Sequence, residues 1–260
     1  MNFLPFSQWI ETAPEWLQNC PAWLQNLLYQ LFQTFIYQDR WMLFVKGLQI
    51  TFIVTLGALI LGVILGFIVA LVRTSYDEMA RTKKPGFAFS LLNGLCKLYL
   101  TVIRGTPMMV QLLVMGFVIM VPKTDVGMLA CGIITLGINS GAYVAEIARS
   151  GLISIPYGQL EAGRSLGFNY VQTMWHVVIP QAFRNILPAL GNEMITLLKD
   201  TSLVSVIALR DVTKQAQNLV SITYQAYVPY ISLAIIYLIL VMGLTWLLGR
   251  LERRLRRSDH

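Results

Sequence analysis

From Gly47 to Val72 the chain carries no charged side chain, and about 20 apolar residues are enough to cross a bilayer as a helix. Further apolar stretches follow, separated by short polar segments. They predict transmembrane helices near 44–72, 106–122, 126–147, 186–208 and 229–249. The second is short and opens at Gly105-Thr106-Pro107, so it reads as the continuation of a helix lying along the membrane surface. Polar residues interrupt the third and fourth. The pattern predicts an all-α membrane protein with five transmembrane helices.

Composition supports this reading. Of 260 residues, 56% are hydrophobic and only 13% charged, about half the charge of a soluble domain. The N-terminus has no basic region before an apolar core and carries Glu11 and Glu15, which argues against a signal peptide. The net charge of +7 is distributed at the edges of the apolar segments and forms no stripe suited to nucleic acid. It orients the protein instead. Fourteen of the twenty Lys and Arg residues fall in 73–105, around Arg149, Arg164 and Arg184, or in the tail from Arg250. Positive residues mark the cytoplasmic side, so the N-terminus is expected outside and the C-terminus inside. Cys20, Cys96 and Cys131 are scattered and give neither a disulfide framework nor metal-ligand spacing.

The chain divides into an extracytoplasmic, Trp-rich extension (1–40), a membrane region (41–250) and a basic cytoplasmic tail (251–260). In the extension PEWLQNC (14–20) is repeated as PAWLQNL (21–27), and Trp9, Trp16 and Trp23 share a seven-residue spacing. On a continuous helix they would lie along one face. Tryptophan favours the membrane–water boundary, so an interfacial helix on the outer leaflet is expected, with Pro14 and Pro21 limiting its regularity.

Polar residues inside the spans are the candidate chemistry. Thr135, Asn139, Tyr143 and Glu146 fall on one face of the third span. Such a stripe faces protein or a water-filled cavity, serving either interhelical hydrogen bonding or a permeation path. In the fourth span Asn192, Thr196 and Lys199 share a face, with Glu193 and Asp200 beside it. A charge at bilayer depth costs on the order of 2.5 to 3.5 kcal/mol, so Lys199 and Asp200 imply a structural ion pair, hydration or a zwitterionic ligand. Ala58, Gly62, Gly66 and Ala70 recur every four residues in the first span and suit close helix packing. No HExxH, Cys/His cluster or GxxxxGK[ST] phosphate loop occurs, so any ATP-driven step requires another chain.

One segment does not belong in lipid: Glu161, Ala162, Gly163, Arg164 and Gly167, within LEAGRSLGF (160–168). The pattern E-A-G, three residues, Gly167, nine residues, V-V-I-P resembles the EAA signature of the membrane subunits of bacterial ABC importers. Gly163 stands for the third Ala, Val177 for Ile and Ile179 for Leu. VIRGTPMMVQLL (102–113), NSGAYVAEIARSGLISIPYGQLEAGRSLG (139–167) and LLKDTSLVSVI (197–207) are similar to the polar amino acid branch of that family. The resemblance covers roughly 41–250. The segment 75–90 is longer than that branch commonly has.

The resemblance implies a permease fold with a cytoplasmic coupling helix at Glu161–Gly167, in a multi-pass protein of the bacterial cytoplasmic membrane. It also implies partners: a pair of ATP-binding-cassette ATPase subunits holding ATP and Mg, a second permease chain (identical or related), and an extracellular amino-acid-binding protein. In that reading Ala162 and Gly163 supply the small contact face of the coupling helix, Glu161 and Arg164 pair with the partner, and Gly167 turns the chain. Solute contacts are expected from Lys199, Asp200, Thr201 and Ser202, from Asn192, Glu193 and Thr196, and from Gln111 with the third-span stripe. Arg104 to Pro107 read as structural. A self-sufficient secondary carrier or channel is the alternative, as is an importer subunit for metals, oxyanions or sulfonates. A carrier needs no coupling segment, and the third class does not predict the RGTP and KDTSL matches.

Overall fold

A computed structural model describes residues 4–257, and the last three residues of the 251–260 tail lie outside the described residues. Among the described residues the structure is helical without strands. Three short helices, α1 (Phe6–Glu11), α2 (Glu15–Gln18) and α3 (Ala22–Leu31), precede α4 (Trp41–Thr82). Then come α5 (Phe87–Gly105), α6 (Met108–Val114), α7 (Asp125–Ile153), α8 (Tyr157–Ser165), α9 (Tyr170–Thr173), α10 (Ile179–Asp200), α11 (Val212–Thr223) and α12 (Tyr227–Arg257).

Four of these, α4, α5, α7 and α12, are long and apolar enough to cross a membrane. The expected spans near 44–72, 126–147 and 229–249 fall within α4, α7 and α12. The other two differ from expectation. The segment 106–122 is a shorter apolar helix, Met108–Ile119, ending in a π turn. The long apolar helix here is the preceding α5, expected as a helix along the membrane surface and instead long and apolar enough to cross it. Pro107 separates the two, since it has no N–H to continue α5 and holds Thr106 in an extended conformation (φ −120°, ψ 142°). The segment 186–208 is also divided: α10 ends at Asp200 and a 3-10 turn follows over Thr201–Ile207. The basic tail is no separate unit as far as Arg257, because α12 runs through it.

The core is the pairing of α4 with α7. Cβ atoms placed on Gly57, Gly62 and Gly66 would lie within 3.0 Å of Ile133, Ser140 and Val144, and one on Gly137 within 2.7 Å of Leu61. Farther along, Arg149 Nη2 is 3.0 Å from Asp77 Oδ2. Residue numbers rise together on both helices, so they run parallel. The small-residue stripe permits this approach, and Ala58 and Ala70 are buried in it. Parallel neighbours oblige the intervening chain to return to the starting end. Helix α5 lies across the far half of the pair, with Phe89 on Tyr76, Tyr99 hydrogen-bonded to the carbonyl of Ile138, and Arg104 beside Glu146. Helix α6 then runs back against α7, from the Gln111–Asn139 contact to Pro122 beside Gly127.

Helix α10 is antiparallel to α7, with Ile186 at Gly151 and Glu193 at Ser140. Helix α12 starts near where α4 starts, its Leu233 and Ile236 packing on the cluster that Phe44 forms with Val212, Ala216 and Leu219 of α11, and later reaches Gly191 of α10 through Leu248. The ends of α4, α7 and α12 therefore share one side of the bundle. Helix α4 is about 60 Å long at 1.5 Å per residue, twice the hydrocarbon thickness, and along its polar end Arg73 and Asp77 still pair with Glu146 and Arg149 of α7.

The N-terminal extension is not a single helix. Pro14 and Pro21 each start a new short helix, because neither can continue the preceding turn. Trp9 is therefore buried in a small cluster with Leu17 and Tyr29, while Trp16 and Trp23 point outward, 64% and 68% exposed. The three tryptophans do not share a face.

Candidate functional site

Where α5 breaks into α6, a cavity of about 510 Å³ opens between them and helices α7 and α10. It is lined by Arg104–Met108, Asn139 and Tyr143 on one side and by Glu193, Thr196 and Asp200 on the other. The last three are spaced by three and four residues, which places them on one face of α10. A neighbouring groove shares Tyr143 and Glu193 and continues along Glu146, Ser150, Ser154 and Asn185. The two adjoin along the α7–α10 interface.

Several contacts fix the walls. Ser140 Oγ donates to Glu193 Oε1 at 2.7 Å. Glu146 receives Arg73 Nη1 at 3.2 Å and Arg104 Nη1 at 3.7 Å, and the Arg104 guanidinium lies 5.7 Å from the Tyr143 ring centre. The cavity thus holds one cation, Arg104, and two carboxylates, Glu193 and Asp200, with amide and hydroxyl groups between them.

Not every expected residue reaches the cavity. Gln111 is occupied at the helix break: its Nε2 donates to the carbonyls of Ile103 (2.7 Å) and Thr106 (3.1 Å), and its Oε1 accepts from Asn139 Nδ2 (3.0 Å). It satisfies carbonyls that the end of α5 leaves open. Thr135 is buried and donates to the Cys131 carbonyl within its own helix, and Thr201 does the same to Leu198. Lys199, Asn192 and Ser202 are absent from the cavity wall. Asp200 falls about one turn beyond Thr196 and two beyond Glu193, and Lys199 is rotated about 100° away from it. Conversely Arg104, Gly105, Thr106 and Pro107, read as structural, line it. The RGTP sequence was visible, but only the bend between α5 and α6 turns it toward the cavity.

The second constellation is α8. Its C-terminus is a Schellman motif: the N–H of Phe168 donates to the Gly163 carbonyl and that of Gly167 to the Arg164 carbonyl. Gly167 has φ +84°, a conformation that disfavours any Cβ. Asn169 and Gln172 then form a capping box that starts α9. Glu161, Ala162 and Arg164 are exposed. Gly163 is not on that face. It is buried against Thr173, and a Cβ there would lie 2.4 Å from Thr173 Cγ2. Its smallness serves packing within the chain, which corrects the expectation that it supplies an outward contact. Behind α8 a second cavity, about 430 Å³, contains the Asp77–Arg149 pair between the ends of α4 and α7.

Comparison with known proteins bears on both constellations. Residues 86–257 match the family described as binding-protein-dependent transport system inner membrane component. The glutamine transport system permease protein GlnP of Escherichia coli (strain K12) is 33% identical over 216 residues, 82% of this chain and 93% of that one. The arginine transport system permease protein ArtQ of Bacillus subtilis (strain 168) is 35% identical over 217 residues, with the same coverage. Among solved structures, an amino acid ABC transporter crystallised with histidines is 39% identical, with a TM-score of 0.74 over 85% of this chain and 98% of that chain. The MetNI methionine ABC transporter, 22% identical with a TM-score of 0.66, shares the fold. This chain is a multi-pass membrane protein of the binding-protein-dependent transport family, an ABC importer permease.

Proposed function

We propose that this chain moves a polar amino acid into the cytoplasm as the permease subunit of an ABC importer. The observation that carries the reading is the cavity at the α5–α6 break, where Arg104 shares a polar space with Glu193 and Asp200. A guanidinium suits an α-carboxylate and a carboxylate suits an ammonium group. Two carboxylates against one guanidinium favour neutral or basic amino acids over acidic ones. The similarity to permeases named for glutamine and arginine supports the same substrate class.

The helix directions support five crossings in alternation: α4, the α5–α6 pair, α7, α10 and α12. Arg81, Lys83 and Lys84 at the end of α4, Arg164 on α8 and the basic end of α12 then lie on one side, which the positive-inside rule makes cytoplasmic. The N-terminus is outside. On the inner side, α8 offers Glu161, Ala162, Arg164 and the exposed Leu166 to a groove on a partner ATPase. Two such ATPase subunits hold ATP and Mg, a second permease chain completes the membrane unit, and an extracellular binding protein delivers the solute. The ATPase pair binds ATP differently in its two arrangements, and that difference drives the change in the spans.

The test is uptake by the reconstituted importer in proteoliposomes, supplied with labelled amino acids and internal ATP. ATP-dependent accumulation of a neutral or basic amino acid supports the reading. Uptake without ATP, driven by an ion gradient, would overturn it in favour of a secondary carrier.

A further inference from the structure

The extension before α4 is built from a repeated unit. In both P-x-W-L-Q-N copies the proline starts a helical turn, the tryptophan follows two residues later, and the glutamine side chain reaches back. Gln18 Nε2 donates to the Ala13 carbonyl at 2.8 Å and Gln25 Nε2 to the Cys20 carbonyl at 3.0 Å, five residues back in each case. Leu17 is buried with Trp9 and Tyr29, whereas Trp16 and Trp23 are left outside. The unit is anchored to the bundle. Gln33 Nε2 donates to the Leu4 carbonyl, buried Arg40 donates to Gln33, and Phe35 stacks on Phe44 of α4. Two large indoles are thus held outward on a folded support that has no packing need for them.

We propose that Trp16 and Trp23 seat this extension in the lipid headgroup–acyl boundary at the end of the bundle where α4 and α12 begin. The occupant of the surface is the phospholipid bilayer itself. Two observations select it. Exposed apolar residues recur from Trp23 through Leu31, Ile36, Trp41 and Val45 to Phe52 of α4, with exposed Asp39 and Lys46 among them, so large apolar side chains point outward on both the extension and the start of the first span. Charge is the second: residues 1–40 hold Glu11, Glu15 and Asp39, and their one basic residue, Arg40, is buried. Such a surface has no attraction for anionic headgroups and partitions by its indoles alone. It fixes the tilt of the first span at its outer end, on the side away from α8.

The test uses the assembled importer in bilayers of brominated phosphatidylcholine, which quenches tryptophan at the depth of the bromines. Trp16→Phe/Trp23→Phe is the variant; both positions are exposed, so the fold is expected to persist. Of the quenched amplitude contributed by this chain, the double variant should lose at least a third, since it removes two of six tryptophans from the interface and buried Trp9 adds little. Bromines near the carbonyls should quench more than those near the chain ends, and neither salt nor anionic lipid should change the result. Equal quenching in both proteins overturns the proposal. So does quenching that disappears when the extracellular binding protein is added, which would assign the surface to that protein. Trp16→Phe and Trp23→Phe singly, each removing part of the signal, separate a local effect from a disturbed extension. Because the readout is depth rather than uptake, it stands or falls independently of the transported solute.

Discussion

Ser140 on α7 donates a 2.7 Å hydrogen bond to Glu193 on α10, and Gly62 of α4 stands directly behind it, where a Cβ would come within 2.9 Å of the serine hydroxyl. Three helices meet at this node, and one of its members is a wall of the polar cavity. Ser140→Ala removes the donor that orients Glu193, a hydrogen bond to a charged group worth about 1.5 to 3 kcal/mol when buried. Water in the cavity replaces part of it. The expected outcome is a several-fold rise in the KM for uptake with assembly intact. Gly62→Val should be worse, since the added methyls displace Ser140 itself. Uptake kinetics in proteoliposomes measure both.

Arg104 carries the cation of the cavity. Arg104→Gln should raise the KM for amino acid uptake by about tenfold, equivalent to roughly 1.4 kcal/mol. Stability should hold, because Glu146 keeps Arg73 at 3.2 Å. Unchanged kinetics would return Arg104 to a purely structural role.

Gln111 makes the opposite case. Gln111→Leu removes the side-chain donor from the part-buried Ile103 carbonyl, a loss of about 1 to 3 kcal/mol, while the exposed Thr106 carbonyl can turn to water. The thermal midpoint of the purified complex should fall while preference among amino acids stays the same. A changed preference with unchanged stability would show that Gln111 meets the solute.

Gly163 and Thr173 form a pair that a double-mutant cycle can isolate. Gly163→Ala places a Cβ against Thr173, whose hydroxyl is held by the Asn169 carbonyl at 3.0 Å. Overpacking of this kind costs about 1 to 3 kcal/mol and should weaken transport-coupled ATP hydrolysis. Gly163→Ala with Thr173→Ala should recover much of the loss. This contact accounts for glycine at the third position of a motif that otherwise ends in alanine.

Gly167→Ala forces a Cβ into φ +84°, at roughly 1 to 2 kcal/mol. It should lower ATP hydrolysis coupled to uptake without affecting insertion of the spans. ATPase activity measured with and without loaded binding protein reads this directly.

Much of this was legible in the sequence. Charge-free runs define α4, α7 and α12 because lipid accepts little else, and the positions of Glu161 and Gly167 define α8 because a polar, glycine-terminated helix has no place among spans. The four-residue stripe from Ala58 to Ala70 announced a close helix contact. Less legible was α5, where Lys97 and Arg104 made a 19-residue helix look like one lying on the membrane surface when it is apolar enough to cross.

By itself the sequence determined the class, the family and the location of the polar helix α8, since these rest on local hydropathy and fixed spacings along one chain. The tertiary structure alone decided which polar residues face the cavity. Lys199 and Asp200 are neighbours in sequence yet only Asp200 lines it, Gln111 is consumed at a helix break, and Gly163 faces inward. The parallel course of α4 and α7 and the bend at Pro107 set those orientations. Both depend on partners distant in sequence, and no periodicity within a single helix can name the helix it will meet.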